Sequence, residues 1–185
     1  MKRVLILYGW HGSDAPHWQA WLAKELIDRD YDVAFPQFSS NTKPSYDVWM
    51  QEAQMTLRTF APHIVITHSM GNTLWFHLLN EGHVRPVEKT LLVAPPRDLS
   101  EYPEVKSFFP VKIPNSLESK ESTLVCSDND PYMDLAESKA LAHTLGTECK
   151  VLKDAGHINA DSGYGAWPWA LEWITKDEEE ISYEV

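Results

Sequence analysis

Short apolar runs alternate with longer amphipathic segments along the whole chain. The short runs are rich in apolar and β-branched residues and are bounded by turn-forming residues, which is typical of strands. The six predicted strands cover residues 4–8, 31–34, 63–67, 90–94, 123–126 and 148–152. The first run is almost wholly apolar, and this pattern favours a strand that is covered on both faces of a sheet.

Apolar residues at helical spacing predict five helices between these strands. The first helix is predicted to be capped by Ser13 or Asp14 and to run to about Arg29, and the second to be capped by Ser45. The remaining three are predicted at residues 71–80, at 134–145 with Gly146 after it, and at 166–174. The repeated β-then-α order indicates an α/β fold with mainly parallel strands and helices on both faces of the sheet.

The length of 185 residues suits one domain with a substantial core. We expect this domain to span residues 1–176, followed by an acidic tail at 177–185. The least regular stretch, residues 95–122, is rich in proline and leaves the end of a predicted strand. It either forms a wall of a binding pocket there or packs as a surface crossover.

The charge balance narrows the choice of partners. There are 27 acidic and 16 basic residues, so the formal net charge is −11. Such an anionic surface argues against nucleic acid or an anionic membrane as a partner. The apolar run near the N-terminus is short for a signal peptide, and no apolar stretch approaches the ~20 residues of a membrane span. We therefore expect a cytoplasmic protein.

The two cysteines, Cys126 and Cys149, lie outside any C-x-x-C or zinc-like spacing. We expect both to be reduced core thiols, although they fall on two predicted strands that could be neighbours, so a disulfide stays open. The histidines also show no metal-ligand spacing such as H-E-x-x-H. No metal and no cofactor are expected.

Reactive side chains follow three of the predicted strands. Ser69 follows the strand at 63–67 within "ITHSMGN", Asp128 and Asp130 follow the strand at 123–126, and His157 follows the last strand. The carboxyl ends of parallel strands share one edge of a sheet, so these groups can meet there. A serine hydroxyl needs an adjacent base, and that base needs an orienting acid. The order Ser, Asp, His is that of α/β-hydrolases, in which a sharp strand-to-helix turn presents the serine.

Two choices inside this site depend on local position. Asp130 precedes Pro131 and lies farther from the strand than Asp128, so Asp130 is favoured as the acid and Asp128 as a residue that caps the turn. The developing negative charge needs two backbone N–H donors. Met70, directly after the serine, is the first candidate, and Trp10 in "YGWHGS" is the second, with His11 as its alternative.

A substrate pocket is predicted around four residues near these groups. They are His11, Phe108, Phe109 and Tyr132. The aromatic side chains, together with Trp10, suggest a partly apolar acyl pocket. A chain of this length has no room for a large lid, which favours a small acyl substrate.

Five stretches of the chain resemble the small bacterial serine hydrolases related to human retinoblastoma-binding protein 9. These stretches are "YGWHGSDAPHWQAWL", "HSMGN", "LLVAPP", "SDNDPYM" and "AGHINADSGYGAWP", and together they span nearly the whole chain. The resemblance implies a compact α/β-hydrolase fold without the two antiparallel strands that open larger hydrolases. It also implies Ser69, Asp130 and His157 as a catalytic triad.

The resulting hypothesis is a carboxylesterase or amidase that cleaves a small-molecule acyl substrate through an acyl-enzyme. One alternative is a non-enzymatic module that binds a protein partner on a hydrolase fold, although no residue here points to such a partner. Another is acyl transfer to an acceptor other than water, which would use the same triad. The sequence departs from the usual G-x-S-x-G pattern at Thr67, which stands where the first glycine is expected.

Overall fold

The computed structural model describes residues 1–181, and it describes side chains as far as Lys176. Within this range one sheet contains six strands, in the spatial order β2-β1-β3-β4-β5-β6, and all five pairings are parallel. The strands are β1 (Arg3–Leu7), β2 (Asp32–Ala34), β3 (Ile64–His68), β4 (Val87–Val93), β5 (Ser119–Ser127) and β6 (Glu148–Leu152). The predicted parallel α/β fold is confirmed.

Among the described residues, five α-helices cover the two faces of this sheet. They are α1 (Trp18–Ile27), α2 (Tyr46–Thr59), α3 (Met70–Asn80), α4 (Leu135–Leu145) and α5 (Pro168–Ile181). Helices α1 and α5 pack in one apolar cluster with Val4 and Ile6 of β1, while α2, α3 and α4 pack in the other with Leu5 and Leu7. Successive side chains of a strand point to opposite faces, so a strand covered on both sides must be apolar throughout.

Helix α1 begins later than the sequence pattern predicts. Its N-cap is His17, whose Nδ1 accepts a hydrogen bond from the Gln19 N–H at 3.1 Å. Neither Ser13 nor Asp14 caps the helix, so that prediction is wrong. The physical reason is Pro16, because a proline disfavours helical backbone at the residue before it and delays the start of the helix.

Helix α4 follows its prediction closely. Asp134 and Glu137 form a reciprocal capping box, and Gly146 closes the helix in the left-handed region with a φ of 64°. Helix α5 ends at Ile181 rather than at residue 174. The last part of the predicted acidic tail, residues 182–185, lies outside the described residues.

The two cysteines lie on the neighbouring strands β5 and β6. Both are free thiols, and their Sγ atoms are 3.9 Å apart. Burial, and then the neighbouring Cys149, raise the pKa of the Cys126 thiol to about 12.

As far as the described residues extend, the protein contains no helix with the length and apolarity that crossing a membrane requires.

Candidate active site

Ser69 lies in a sharp turn between β3 and α3. Its backbone has a φ of 53° and a ψ of −129°, a combination that non-glycine residues rarely adopt and that costs on the order of 1–3 kcal/mol. Two glycines make room for this turn. A Cβ on Gly9 would lie 2.7 Å from the Ser69 Cβ, and one on Gly71 would overlap the Leu7 carbonyl oxygen of β1. The predicted strand-to-helix elbow is therefore present at this serine.

The structure brings together the three side chains that the sequence selected. His157 Nε2 lies 2.8 Å from Ser69 Oγ, and His157 Nδ1 lies 2.9 and 3.0 Å from the two carboxylate oxygens of Asp130. The side chains of His157 and Asp130 are 9% and 3% exposed, so water competes little for these contacts. Because a carboxylate only accepts, Nδ1 carries the proton and Nε2 is free to accept the serine O–H.

Asp128 does not join this group. Its carboxylate faces the other strand-end loop, where Oδ1 accepts the Asp154 N–H at 2.7 Å. Asp130 Oδ1 instead accepts the Tyr132 N–H at 2.9 Å within its own loop, in addition to facing His157. The preference for Asp130 as the residue beside the histidine agrees with this geometry, whereas Asp128 ties two loops together rather than capping its own turn.

The loops after β5 and β6 are joined by a row of hydrogen bonds that sequence reasoning missed. Besides the Asp128 contact, Ser127 Oγ accepts the Ala155 N–H at 3.0 Å, and Asn129 Oδ1 accepts the Gly156 N–H at 2.7 Å. Four consecutive residues, 127–130, therefore hold the segment that ends at His157. This fixes the distance between the acid and the histidine through the backbone as well as through their side chains.

The backbone near Ser69 offers two N–H groups that no acceptor occupies. In the part of the chain that the structure describes, neither the Trp10 nor the Met70 N–H has a hydrogen-bond acceptor. The His11 N–H, the alternative donor, already has an acceptor, because it donates to the Asn41 carbonyl at 2.9 Å. Trp10 and Met70 thus remain as the pair that could meet a developing oxyanion.

A cavity of about 390 Å³ opens over Ser69 and His157. Its walls come from the loop after β1, the elbow, the loop after β4 and the loops that carry Asp130 and His157. Side chains lining it include Trp10, His11, Asp14, His17, His68, Leu99, Tyr132, Asn159 and Asp161. The ring of Tyr132 packs edge-on against His157, with 4.5 Å between the ring centroids.

Phe108 and Phe109 do not line this cavity, so two of the predicted pocket residues are wrong. Phe108 is fully buried, and its ring packs against Tyr46 and Trp49 of α2. Phe109 packs against the same apolar cluster. A paired phenylalanine fills a core as readily as it lines a pocket, and here Phe108, in the short 3₁₀ helix Lys106–Phe108, is buried while Phe109 is half-buried beside it.

The proline-rich stretch at 95–122 contributes to the site at one position. Leu99 lines the cavity over Ser69. Other residues of the stretch, including Pro95, Pro96, Val111 and Ile113, line a second cavity of about 320 Å³ between α3 and α4. The prediction that this stretch could wall the pocket therefore applies to Leu99 only.

Two further histidines lie close to His157 and are almost completely buried. The ring centroid of His68 is 5.1 Å from that of His157 and 4.9 Å from that of His17. Burial, and then the charge that His157 can carry, lower the pKa of His17 to about 4 and that of His68 well below its ordinary value. Both rings are therefore neutral at pH 7, and His68 Nε2–H donates to the His157 carbonyl at 2.9 Å.

We predict that His17 makes the fold less stable in acid. Its pKa is near 6.5 in the unfolded chain and about 4 in the folded one, so the unfolded state binds more protons between these values. Stability should fall as the pH drops from 6.5 to 4, by roughly 3 kcal/mol from this residue alone. Urea unfolding at pH 7 and pH 4.5 would measure the loss.

The matched variant is His17→Asn, which keeps a side-chain acceptor for the N-cap but does not titrate. Its loss of stability between the two pH values should be smaller than that of the wild type by about 2–3 kcal/mol. Some loss remains, because His68 responds to acid in the same direction. An equal loss in both proteins would show that His17 is not the titrating group.

Within the side chains described, no group of three histidine, cysteine, aspartate or glutamate residues is arranged to hold a metal ion. The site described above consists of a serine, a histidine, an aspartate and backbone N–H groups. These are the groups that acyl transfer to a serine requires.

Comparison with known proteins gives a family and a set of structural neighbours. A family model for serine hydrolases matches residues 4–176. The ydeN gene product of Bacillus subtilis is 20% identical, with a TM-score of 0.83 over 95% of this chain and 98% of that one. A putative ydeN-like hydrolase from Pectobacterium atrosepticum is 22% identical, with a TM-score of 0.76 over 97% of this chain and 92% of that one.

A more distant neighbour is the esterase domain of a Rhodothermus marinus protein, which is 13% identical. Its TM-score is 0.62, over 95% of this chain and 87% of that domain. No curated protein sequence matches this chain. The structural likenesses establish a compact α/β-hydrolase fold, as the sequence predicted.

Proposed function

The chain belongs to the serine hydrolase family, and from that premise we propose that it cleaves a small acyl ester through Ser69, His157 and Asp130. The narrower resemblance to retinoblastoma-binding protein 9 is compatible with this membership and stays a prediction. The observation that carries the proposal is the 2.8 Å contact between Ser69 Oγ and His157 Nε2 at a serine in a strained elbow.

In the proposed reaction, Ser69 Oγ attacks the acyl carbonyl carbon while His157 Nε2 takes the serine proton. His157 then gives that proton to the leaving alcohol as the tetrahedral intermediate collapses to an acyl-enzyme. Water attacks this ester in the second half, again with His157 as the base, and free Ser69 is regenerated. Asp130 keeps the proton of the imidazole on Nδ1 and stabilises the imidazolium ion when it forms.

The Met70 and Trp10 N–H groups are the proposed donors to the oxyanion. Met70 is the first residue of α3, so the positive end of the helix dipole adds to its N–H. Trp10 follows Gly9, which has no side chain to separate the two donors from each other. Donors fixed by the backbone in this way need no reorganisation as the charge develops.

The size and lining of the cavity support a small substrate. Its volume of about 390 Å³ is near the lower end of the range for ligand pockets.

Esters are proposed ahead of amides because structural neighbours from Rhodothermus marinus and Pyrococcus furiosus bear the name esterase. No nucleic acid or membrane partner is proposed, and the cytoplasm remains the expected location.

A series of p-nitrophenyl esters from acetate to decanoate tests this proposal. We expect kcat/KM to be highest between acetyl and butyryl and to fall by at least about tenfold at decanoyl, because the cavity limits the chain that can be enclosed. A fluorophosphonate should modify Ser69, with the adduct located by mass spectrometry. An unmodified Ser69 between pH 6 and pH 9, together with no ester cleavage, would contradict the proposal.

A further inference from the structure

The elbow contains an unusual buried side chain at the position two residues before Ser69. Thr67 stands where the G-x-S-x-G pattern has glycine, and it is fully buried. Its hydroxyl donates to Asn72 Oδ1 at 2.5 Å and also lies 3.3 Å from the Leu91 carbonyl. The threonine therefore does more than fit into the turn, since it supplies a hydrogen bond to a residue on the other side of Ser69.

Asn72 uses the rest of its carboxamide on the backbone around the serine. Its Nδ2 donates to the Ser69 carbonyl at 2.9 Å and to the Val93 carbonyl at 2.9 Å. The side chain is fully buried, and its orientation is determined, because a flipped amide would place Oδ1 against two carbonyl oxygens. Asn72 thus links Thr67, Ser69 and the end of β4.

These contacts fall on the backbone groups that fix the conformation of Ser69. The Ser69 N–H donates to the same Val93 carbonyl at 3.0 Å, and the Asn72 N–H donates to the same Ser69 carbonyl at 2.9 Å. The peptide groups on both sides of Ser69 are therefore held in place. The Val93 carbonyl of β4 holds the first, and Asn72 holds the second. A strained residue persists only where the surrounding contacts over-determine its conformation.

We propose that Thr67 and Asn72 are a pair of positioning residues that hold Ser69 in the conformation from which its hydroxyl reaches His157. The threonine hydroxyl supplies a donor that glycine lacks to the Asn72 carboxamide oxygen, and the carboxamide in turn holds the elbow. The kinetic part of this proposal rests on the proposed function of Ser69. The pair contacts neither substrate nor the reacting atoms, so it acts through the serine alone.

The test compares Thr67→Val, Asn72→Leu and the double variant with the wild type. We expect kcat for a short ester to fall about tenfold in Thr67→Val and about 100-fold in Asn72→Leu, with KM nearly unchanged. A small displacement of a reacting group lowers the rate of the chemical step by factors of this size. The double variant should lose no more than about Asn72→Leu alone, because the two residues act as a unit. Thr67→Ser keeps the hydroxyl and should retain wild-type kcat within about threefold.

A matched control separates positioning from stability. Thr123 is a buried threonine in the middle of β5, two strands from the elbow, and its Oγ1 accepts the Trp173 Nε1–H at 3.1 Å. Thr123→Val should lower Tm and leave kcat unchanged. If Thr67→Val and Asn72→Leu likewise lower Tm while kcat stays within twofold of the wild type, the pair is only structural and the proposal is wrong.

A crystal structure of an Asn72 variant tests the pair without any activity. We expect the φ of Ser69 to leave the positive region in Asn72→Leu, or in the more conservative Asn72→Asp if the first does not fold. An unchanged Ser69 backbone in such a structure overturns the positioning role. A wild type that neither cleaves esters nor reacts with a fluorophosphonate instead overturns the proposed function, and the backbone result still decides the role of the pair.

Discussion

Replacing Ser69 with alanine should lower kcat/KM for a short ester by at least about 10⁴-fold, since removing a nucleophile from such a triad costs ~10⁴ to 10⁶. The loss should be this large because no second nucleophile replaces the serine at its position 2.8 Å from His157 Nε2. The fluorophosphonate adduct should disappear in the same variant. Ester hydrolysis and intact-protein mass spectrometry, on the wild type and Ser69→Ala, measure both effects.

The matched control is Ser100→Ala, which removes an exposed serine hydroxyl outside the cavity. Its ester hydrolysis and its labelling should equal those of the wild type. Substrate binding should survive in Ser69→Ala, because the walls of the cavity do not depend on the hydroxyl. Retention of more than a few per cent of the hydrolysis rate by Ser69→Ala would place the nucleophile elsewhere and remove the basis of the proposed mechanism.

The order of strands and helices could be predicted because each signal is local. The apolar run of β1 and the helical stripe of α2 depend on residues a few positions apart. The ends of the strands were harder to predict, and β4 and β5 show why. β4 begins at Val87 and β5 at Ser119, in polar stretches where tertiary contacts override the apolar pattern: Lys89, for example, is buried beside Glu121 and the Trp173 carbonyl.

The site could be predicted as far as topology alone determines it. Parallel strands place their carboxyl ends at one edge of the sheet, so Ser69, Asp130 and His157 could be predicted to share that edge once the strands were correct. The partners of turn residues could not be predicted in the same way. Asn129 Oδ1 accepts the Ser127 hydroxyl within its own turn, as such residues often do, but it also accepts the Gly156 N–H of another loop. Such a choice depends on distances between loops that no local pattern encodes.

The proposed roles of the two neighbouring aspartates can be separated by replacing each with asparagine. Asp130→Asn should lower kcat by about 10⁴-fold, as expected for a triad acid. The asparagine can turn an N–H toward His157 Nδ1, which then has to accept and lose its proton. The proton moves to Nε2, and Nε2 can no longer accept the Ser69 O–H 2.8 Å away.

Asp128→Asn provides the control within the same loop. It retains a carbonyl oxygen for the Asp154 N–H, so the row of bonds that joins the two loops survives. We expect kcat within about threefold of the wild type, since asparagine keeps an acceptor for the single bond of that row that Asp128 makes and loses only the charge. Steady-state kinetics on a short ester, with Tm measured for each variant, distinguishes the two. A large loss in Asp128→Asn with an active Asp130→Asn would reverse the assignment, and His157 would then need an acid that reaches it only after the loops rearrange.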